Sequence, residues 1–310
     1  MSEKVLFYPL VNLDAIPFNR IYCDYQLDCL FHGLRSVLGE DCVDAIKFPI
    51  WYDTVNKSEL YGNGFTVYGL LPDIEVDRED IQRKIETKYF DQIIVGVHNN
   101  KYNHPGNSEI IKKFLSYGNR VKVVCGNDLP GIDLGISDVC PFFKRELILK
   151  EKVQNIHPIS FCIPEEKIVN EVPQKLNILA PELPNHKGAD GWKIKSEADY
   201  YKQYQESVFG LTYRKGGWDS LRHYEILMNG CIPLFLGLEF CPQDCIAFFP
   251  KDIVSGCMSS YFNDVDKNGR ISLKKKLEEQ DIFDTISELL EWTKKYLTTK
   301  AMASYVLGIK

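Results

Sequence analysis

The stretch VFGLTY (208–213), RKGGWDS (214–220), LRHYEILMN (221–229) and GCIPLFL (230–236) decides how the chain is read. Residues 208–213 are a short apolar run with β-branched and aromatic members, the pattern of a buried strand. A glycine-containing loop with two cations, Arg214 and Lys215, follows it. Asp219 or Ser220 then offers a side-chain acceptor to the first N–H groups of a helix over 220–229. A second apolar run, 231–236, comes next. Strand, helix and strand in so short a span make a βαβ crossover, which joins parallel strands of one sheet.

The same alternation runs outward in both directions. Towards the N-terminus, strands are expected at 5–11, 66–71, 92–97 and 121–125, with helices at 25–37, 78–89 and 108–117, the first capped by Asp24. After an apolar run at 156–163 the chain passes Pro164-Glu165-Glu166 and Val172-Pro173, a linker. Beyond it come a strand at 176–180, a helix at 197–206, the stretch above, and an amphipathic helix at 281–296. The expectation is an α/β protein of two Rossmann-like domains, 1–165 and 166–310, facing a cleft where the carboxyl ends of the strands collect ligands.

Composition narrows the function. The 310 residues carry 43 acidic and 37 basic side chains, a net charge of −6, the wrong balance for a protein that neutralises nucleic-acid phosphates. The longest late apolar run, 231–241, contains Pro233, Gly237 and Glu239 and falls short of the roughly 20 residues of a membrane span. Residues 5–11 are too few for the apolar part of a signal peptide. The 10 cysteines include no C-x-x-C, and Cys241 and Cys245 lack a second pair for zinc. A cytoplasmic protein with free thiols is expected.

Signatures of other classes are missing. No G-x-x-x-x-G-K-[ST] or G-x-G-x-x-G follows a strand, and no G-x-S-x-G or H-E-x-x-H occurs. Residues 264–271 imitate the start of an EF-hand loop, but the twelfth position is Lys275 instead of a carboxylate. The D-x-D within them precedes a Lys-rich stretch, so a solvated turn is the expectation and no metal site is assigned.

Helix N–H groups joined by Arg214, Lys215 and Arg222, with His223 beside them, suit a diphosphate. Arg222 and Glu225 share one helical face, so a carboxylate can accept from a ribose diol while the arginine holds phosphate. The competing reading is an exposed Arg–Glu pair with glycines shaping a turn. Trp218, Trp192, Tyr200, Tyr201 and Tyr204 are aromatic candidates for stacking. Trp218 is the best placed, and the three tyrosines fit helix packing.

Ser220-x-Arg222-x-x-Glu225 followed by Gly230-Cys231-Ile232-Pro233 resembles the donor-binding stretch of exostosin-type glycosyltransferases, and Tyr213-Arg214-Lys215-Gly216 is similar to the turn that precedes it. Ile226 stands where that family has a small residue, and Lys215 interrupts its P-R-G pattern. The segments 24–28, 32–35 and 143–147 also resemble soluble glycosyltransferase-like proteins of microbes and large DNA viruses. The resemblance implies the GT-B fold and transfer of a sugar, hexosyl or pentosyl, from a UDP- or GDP-type donor to a glycan or glycoprotein, without a metal or other cofactor. Glu225 would bind the ribose, Arg222 and Arg214 the diphosphate, and Ser220 would cap the helix there.

An inverting reaction needs a base from the N-terminal domain. Asp14, Asp24, His98 and Asp128, all at strand ends, are the candidates, each with a plain alternative as a cap, turn or loop residue. Lys144 and Arg145 read as flanking an exposed helix with Glu146 as partner. Two other functions compete: a non-catalytic nucleotide-sugar or glycan-binding protein on the same scaffold, and an epimerase of the nucleotide sugar.

Overall fold

Largely apolar runs build the first sheet, because a parallel sheet is covered on both faces. The computed structural model describes residues 3–11, 24–60, 64–97, 107–130, 134–149, 153–181, 187–188, 191–192, 194, 196–263 and 272–308. Strands β1 (Val5–Leu10), β2 (Cys42–Asp44), β3 (Gln92–Val97), β4 (Val121–Cys125), β5 (Phe142–Lys144) and β6 (Ile156–Pro158) pair in the order β2-β1-β3-β4-β5-β6. All these pairings are parallel. Side chains alternate across the sheet. Leu6, Leu10, Ile93, Val95 and Val123 pack with Ile85 of α2 (Ile81–Glu86), Ile111 and Phe114 of α3 (Asn107–Ser116), and Ile136 of α4 (Leu134–Ser137). On the other face Phe7 stacks on Phe31 of α1 (Tyr25–Leu38), ring centroids 5.2 Å apart.

The chain divides into two units. One is Met1–Pro164 with Pro242–Ala247 and Thr298–Lys310; the other is Glu165–Cys241 with Phe248–Leu297. The first crossing falls at Pro164/Glu165, before the Val172-Pro173 segment. The last helix, α9 (Thr299–Gly308), belongs with the N-terminal sheet instead of the second unit expected from sequence. It lies against α1 at Gly33, where a Cβ would collide with the Thr299 carbonyl oxygen.

Two expected elements differ for a backbone reason. Residues 66–71 are not a strand, since Thr66 (φ 74°) and Gly69 (φ 65°) adopt the left-handed region. The helix expected over 78–89 shrinks to α2 between Asp80 (φ 48°) and Lys88 (φ 58°).

In the second unit, β7 (Asn177–Leu179), β10 (Ser207–Tyr213) and β11 (Ile232–Leu236) form a parallel sheet in the order β11-β10-β7, beside a short antiparallel pair, β8 (Lys187–Gly188) and β9 (Gly191–Trp192). Helices α5 (Glu197–Gln205), α6 (Leu221–Met228), α7 (Lys251–Tyr261) and α8 (Glu279–Tyr296) complete it. Every residue of α6 is buried. Gly210 of β10 makes room for it: a Cβ there would stand 3.0 Å from both Ile226 and Tyr204. Ile226 therefore fits opposite a glycine. No helix among the described residues is long and apolar enough to cross a membrane.

Candidate functional site

The loop from β10 into α6 gathers the residues that sequence placed together. Arg222 and Glu225 are 4% and 7% exposed, so the reading of a surface ion pair fails. A buried guanidinium needs acceptors, yet Nε and Nη1 of Arg222 have no hydrogen-bond partner among the described residues. The Tyr213 ring centroid lies 6.0 Å from its Cζ. The N-terminal end of a helix carries partial positive charge, which adds to the cost of leaving this cation uncompensated. Lys215 keeps a solvent-exposed surface. Even so, protein atoms crowding its ammonium, and then the Arg222 charge, lower it to about 8, while Glu225 pulls it the other way. Glu225 Oε2 accepts a hydrogen bond of 2.6 Å from the Tyr200 hydroxyl of α5.

Four expectations for this loop change. Ser220 holds the N-cap position with extended backbone, but its side chain makes no capping hydrogen bond. The adjacent carboxylate of Asp219 accepts from Tyr224 Oη at 2.8 Å. His223 is fully buried, with Nδ1 2.7 Å from Thr212 Oγ1 and Nε2 2.9 Å from the Trp218 carbonyl. A carbonyl only accepts, so Nε2 carries the proton and Thr212 donates to Nδ1. Burial lowers this imidazole to about 3, and His223 is a neutral brace of the loop instead of a fourth cation. Trp218 is buried as well, and the Arg214 guanidinium lies 5.1 Å from its ring centroid. Tyr213, 37% exposed, is the aromatic that meets solvent.

Tyr200 and Tyr204 are buried in α5 with ring centroids 5.3 Å apart. The Tyr201 hydroxyl donates to Glu197 Oε1 at 2.8 Å. Sequence read all three as packing residues. The bond from Tyr200 to Glu225 was not legible, because helical periodicity does not reveal a partner 25 positions away. Trp192 lies in β9, and its side chain is outside the described set.

In the first unit, Asp14 and His98 are outside the described residues, as is the segment 264–271 in the second. Asp24 caps α1, its Oδ1 accepting from the N–H groups of Gln26 and Leu27, both at 3.1 Å. Asp128 forms an ion pair with Arg145. Lys144 and Arg145 flank no exposed helix. Lys144 ends β5 with no exposed surface, and Arg145, 3% exposed, donates to the Gly126 carbonyl at 3.0 Å and lies 4.4 Å from the Phe161 ring centroid. One further buried acid, Asp28, accepts from Trp51 Nε1 at 2.7 Å, Tyr68 Oη at 2.9 Å and the Asp24 N–H at 2.7 Å. Burial, then the Asp24 charge, raises it to about 8.

Among the described residues no group of three or more His, Cys, Asp and Glu side chains is placed to hold a metal ion. The nine described cysteines are free thiols. No protein-family model matches the chain, and no curated protein matches it either.

Proposed function

We propose that the chain is a GT-B glycosyltransferase whose second unit binds a nucleotide-diphosphate sugar at the loop between β10 and α6. The observation that carries this reading is Arg222: a buried guanidinium with two unpartnered nitrogens, at the start of a helix, with a second cation beside it. An anion of two phosphates relieves the burial, the cation–cation repulsion and the helix end together. Arg214 adds charge from the loop, and Glu225 on the same helix accepts from the ribose hydroxyls. These cations supply the neutralisation of the departing diphosphate that the mechanism needs, so activity in excess chelator is expected. The donor is of UDP or GDP type and the acceptor a glycan or glycoprotein. The chain works in the cytoplasm.

The test is nucleotide binding by Glu225→Ala and Arg222→Ala. Each is expected to weaken UDP or GDP binding by about tenfold or more, the loss of a charge-assisted hydrogen bond. Folded variants that bind as tightly as wild type defeat the proposal. A binding protein without transfer is the second reading, and one observation favours it. Both described candidates for the base are engaged, Asp24 with the helix it caps and Asp128 with Arg145. Donor turnover with a panel of glycans separates the two readings.

A further inference from the structure

The hydrogen bond between Tyr200 and Glu225 bears on what this site selects. A glutamate has three side-chain torsions to fix before it can present its oxygens to a ligand. Here one oxygen is already held at 2.6 Å by a phenol, and both residues are more than nine-tenths buried. The phenol is itself held by packing, its ring centroid 5.6 Å from that of Tyr201 and 5.3 Å from that of Tyr204. Burial, and then the Glu225 charge, raise the Tyr200 hydroxyl well above its ordinary value, so it stays a donor throughout the working pH range. The Asn229 amide ties the same helix turn down, donating to the Glu225 carbonyl at 2.8 Å while its own oxygen accepts from Gln205 at 2.8 Å.

We infer that Tyr200 is a positioning residue that orients the Glu225 carboxylate towards a ribose diol, and that this makes the site select ribonucleotides over 2′-deoxyribonucleotides. The inference rests on the donor-site reading above. A carboxylate oriented before binding pays less on association. A site built to hydrogen-bond a hydroxyl rejects the analogue that lacks it.

Titration of the full chain with UDP, 2′-deoxy-UDP, GDP and 2′-deoxy-GDP tests this. Wild type is expected to prefer the ribo form of the diphosphate it binds by at least about tenfold. Tyr200→Phe keeps the ring and removes the hydroxyl. It is expected to cut that preference to about threefold or less while leaving the 2′-deoxy affinity within about twofold. Tyr200→Met provides the same comparison if the phenylalanine variant does not fold. The double variant Tyr200→Phe/Glu225→Gln is expected to discriminate no worse than Glu225→Gln alone. Equal weakening of ribo and deoxy forms in Tyr200→Phe, or an unchanged preference, overturns the inference and leaves the donor site standing. Wild type that binds neither UDP nor GDP overturns both.

Discussion

Lys215 and His223 flank Arg222 in sequence, and the fold gives them opposite roles. Crowding and the Arg222 charge bring the Lys215 ammonium to about 8. Its proton is therefore lost from the free protein as pH rises through that value, while the arginines stay charged. Affinity for UDP or GDP should fall above pH 8, by up to about tenfold per pH unit, and Lys215→Arg should flatten the profile; a fall that survives this change would point elsewhere. His223 is neutral in the fold down to about 3, against about 6.5 in an unfolded chain. Between those values the unfolded chain binds more protons. The stability this residue contributes is thus present above pH 6.5 and drains away as pH falls towards 3, by at most about 1.4 kcal/mol per pH unit. Acid unfolding midpoints of wild type and His223→Gln check this, the variant showing the shallower dependence. The proposed donor cluster was legible as a cluster because Arg214, Lys215, Arg222 and Glu225 sit within one strand–loop–helix stretch. The neutrality of His223 was not, since it depends on Thr212 and the Trp218 carbonyl closing over both ring nitrogens.

At the scale of elements, two close approaches carry much of the packing. Gly33→Ala drives a methyl into the Thr299 carbonyl at the contact of α1 with α9. Backbone has little room to yield, so a loss of about 3 kcal/mol or more is expected in denaturant unfolding; a loss under about 1 kcal/mol would mean the helices separate easily. Gly210→Ala presses on Ile226 and Tyr204 at 3.0 Å. It should cost about 1–3 kcal/mol, and part of that should return in the Ile226→Ala background, because the two side chains would then share the space. Apolar runs such as IIV in β3 and VKVVC in β4, the latter broken only by Lys122, announced their strands. Strands β2 and β5 did not, being three residues each, with Lys144 in β5 buried by its surroundings instead of by its own chemistry. Residues 66–71 look like a strand, but the left-handed backbone at Thr66 and Gly69 prevents one.

At the scale of the whole molecule, sequence distance misleads most at the C-terminus. Helix α9 completes the N-terminal unit, and the buried Lys122 ammonium donates to the carbonyls of Val306 and Leu307 at 2.8 and 2.7 Å. Nothing in the composition of residues 298–308 announces this, because the partners they meet, such as Gly33 of α1, Gln92 of β3, Lys122 of β4 and Pro158 of β6, lie far away in sequence. Deleting this C-terminal segment uncovers the α1 face and strands that ammonium, so a loss on the order of 5 kcal/mol is expected from the burial of Met302 and Val306 alone. A truncated chain with an unchanged calorimetric profile would contradict the assignment of α9 to the first unit. Whether Arg222 is held unpaired for a diphosphate is decided by thermal unfolding of wild type and Arg222→Met with and without UDP and GDP, in excess chelator. A ligand at a hundredfold excess over its Kd stabilises the fold by about 2.7 kcal/mol. That stabilisation is expected in wild type with one of the two diphosphates. Arg222→Met, binding at least about tenfold more weakly, should gain about 1.4 kcal/mol or less at the same ligand concentration, and its unliganded form should unfold no lower than wild type because an unpaired buried cation is gone. A variant that unfolds well below wild type yet is stabilised equally by the nucleotide would contradict this role of Arg222.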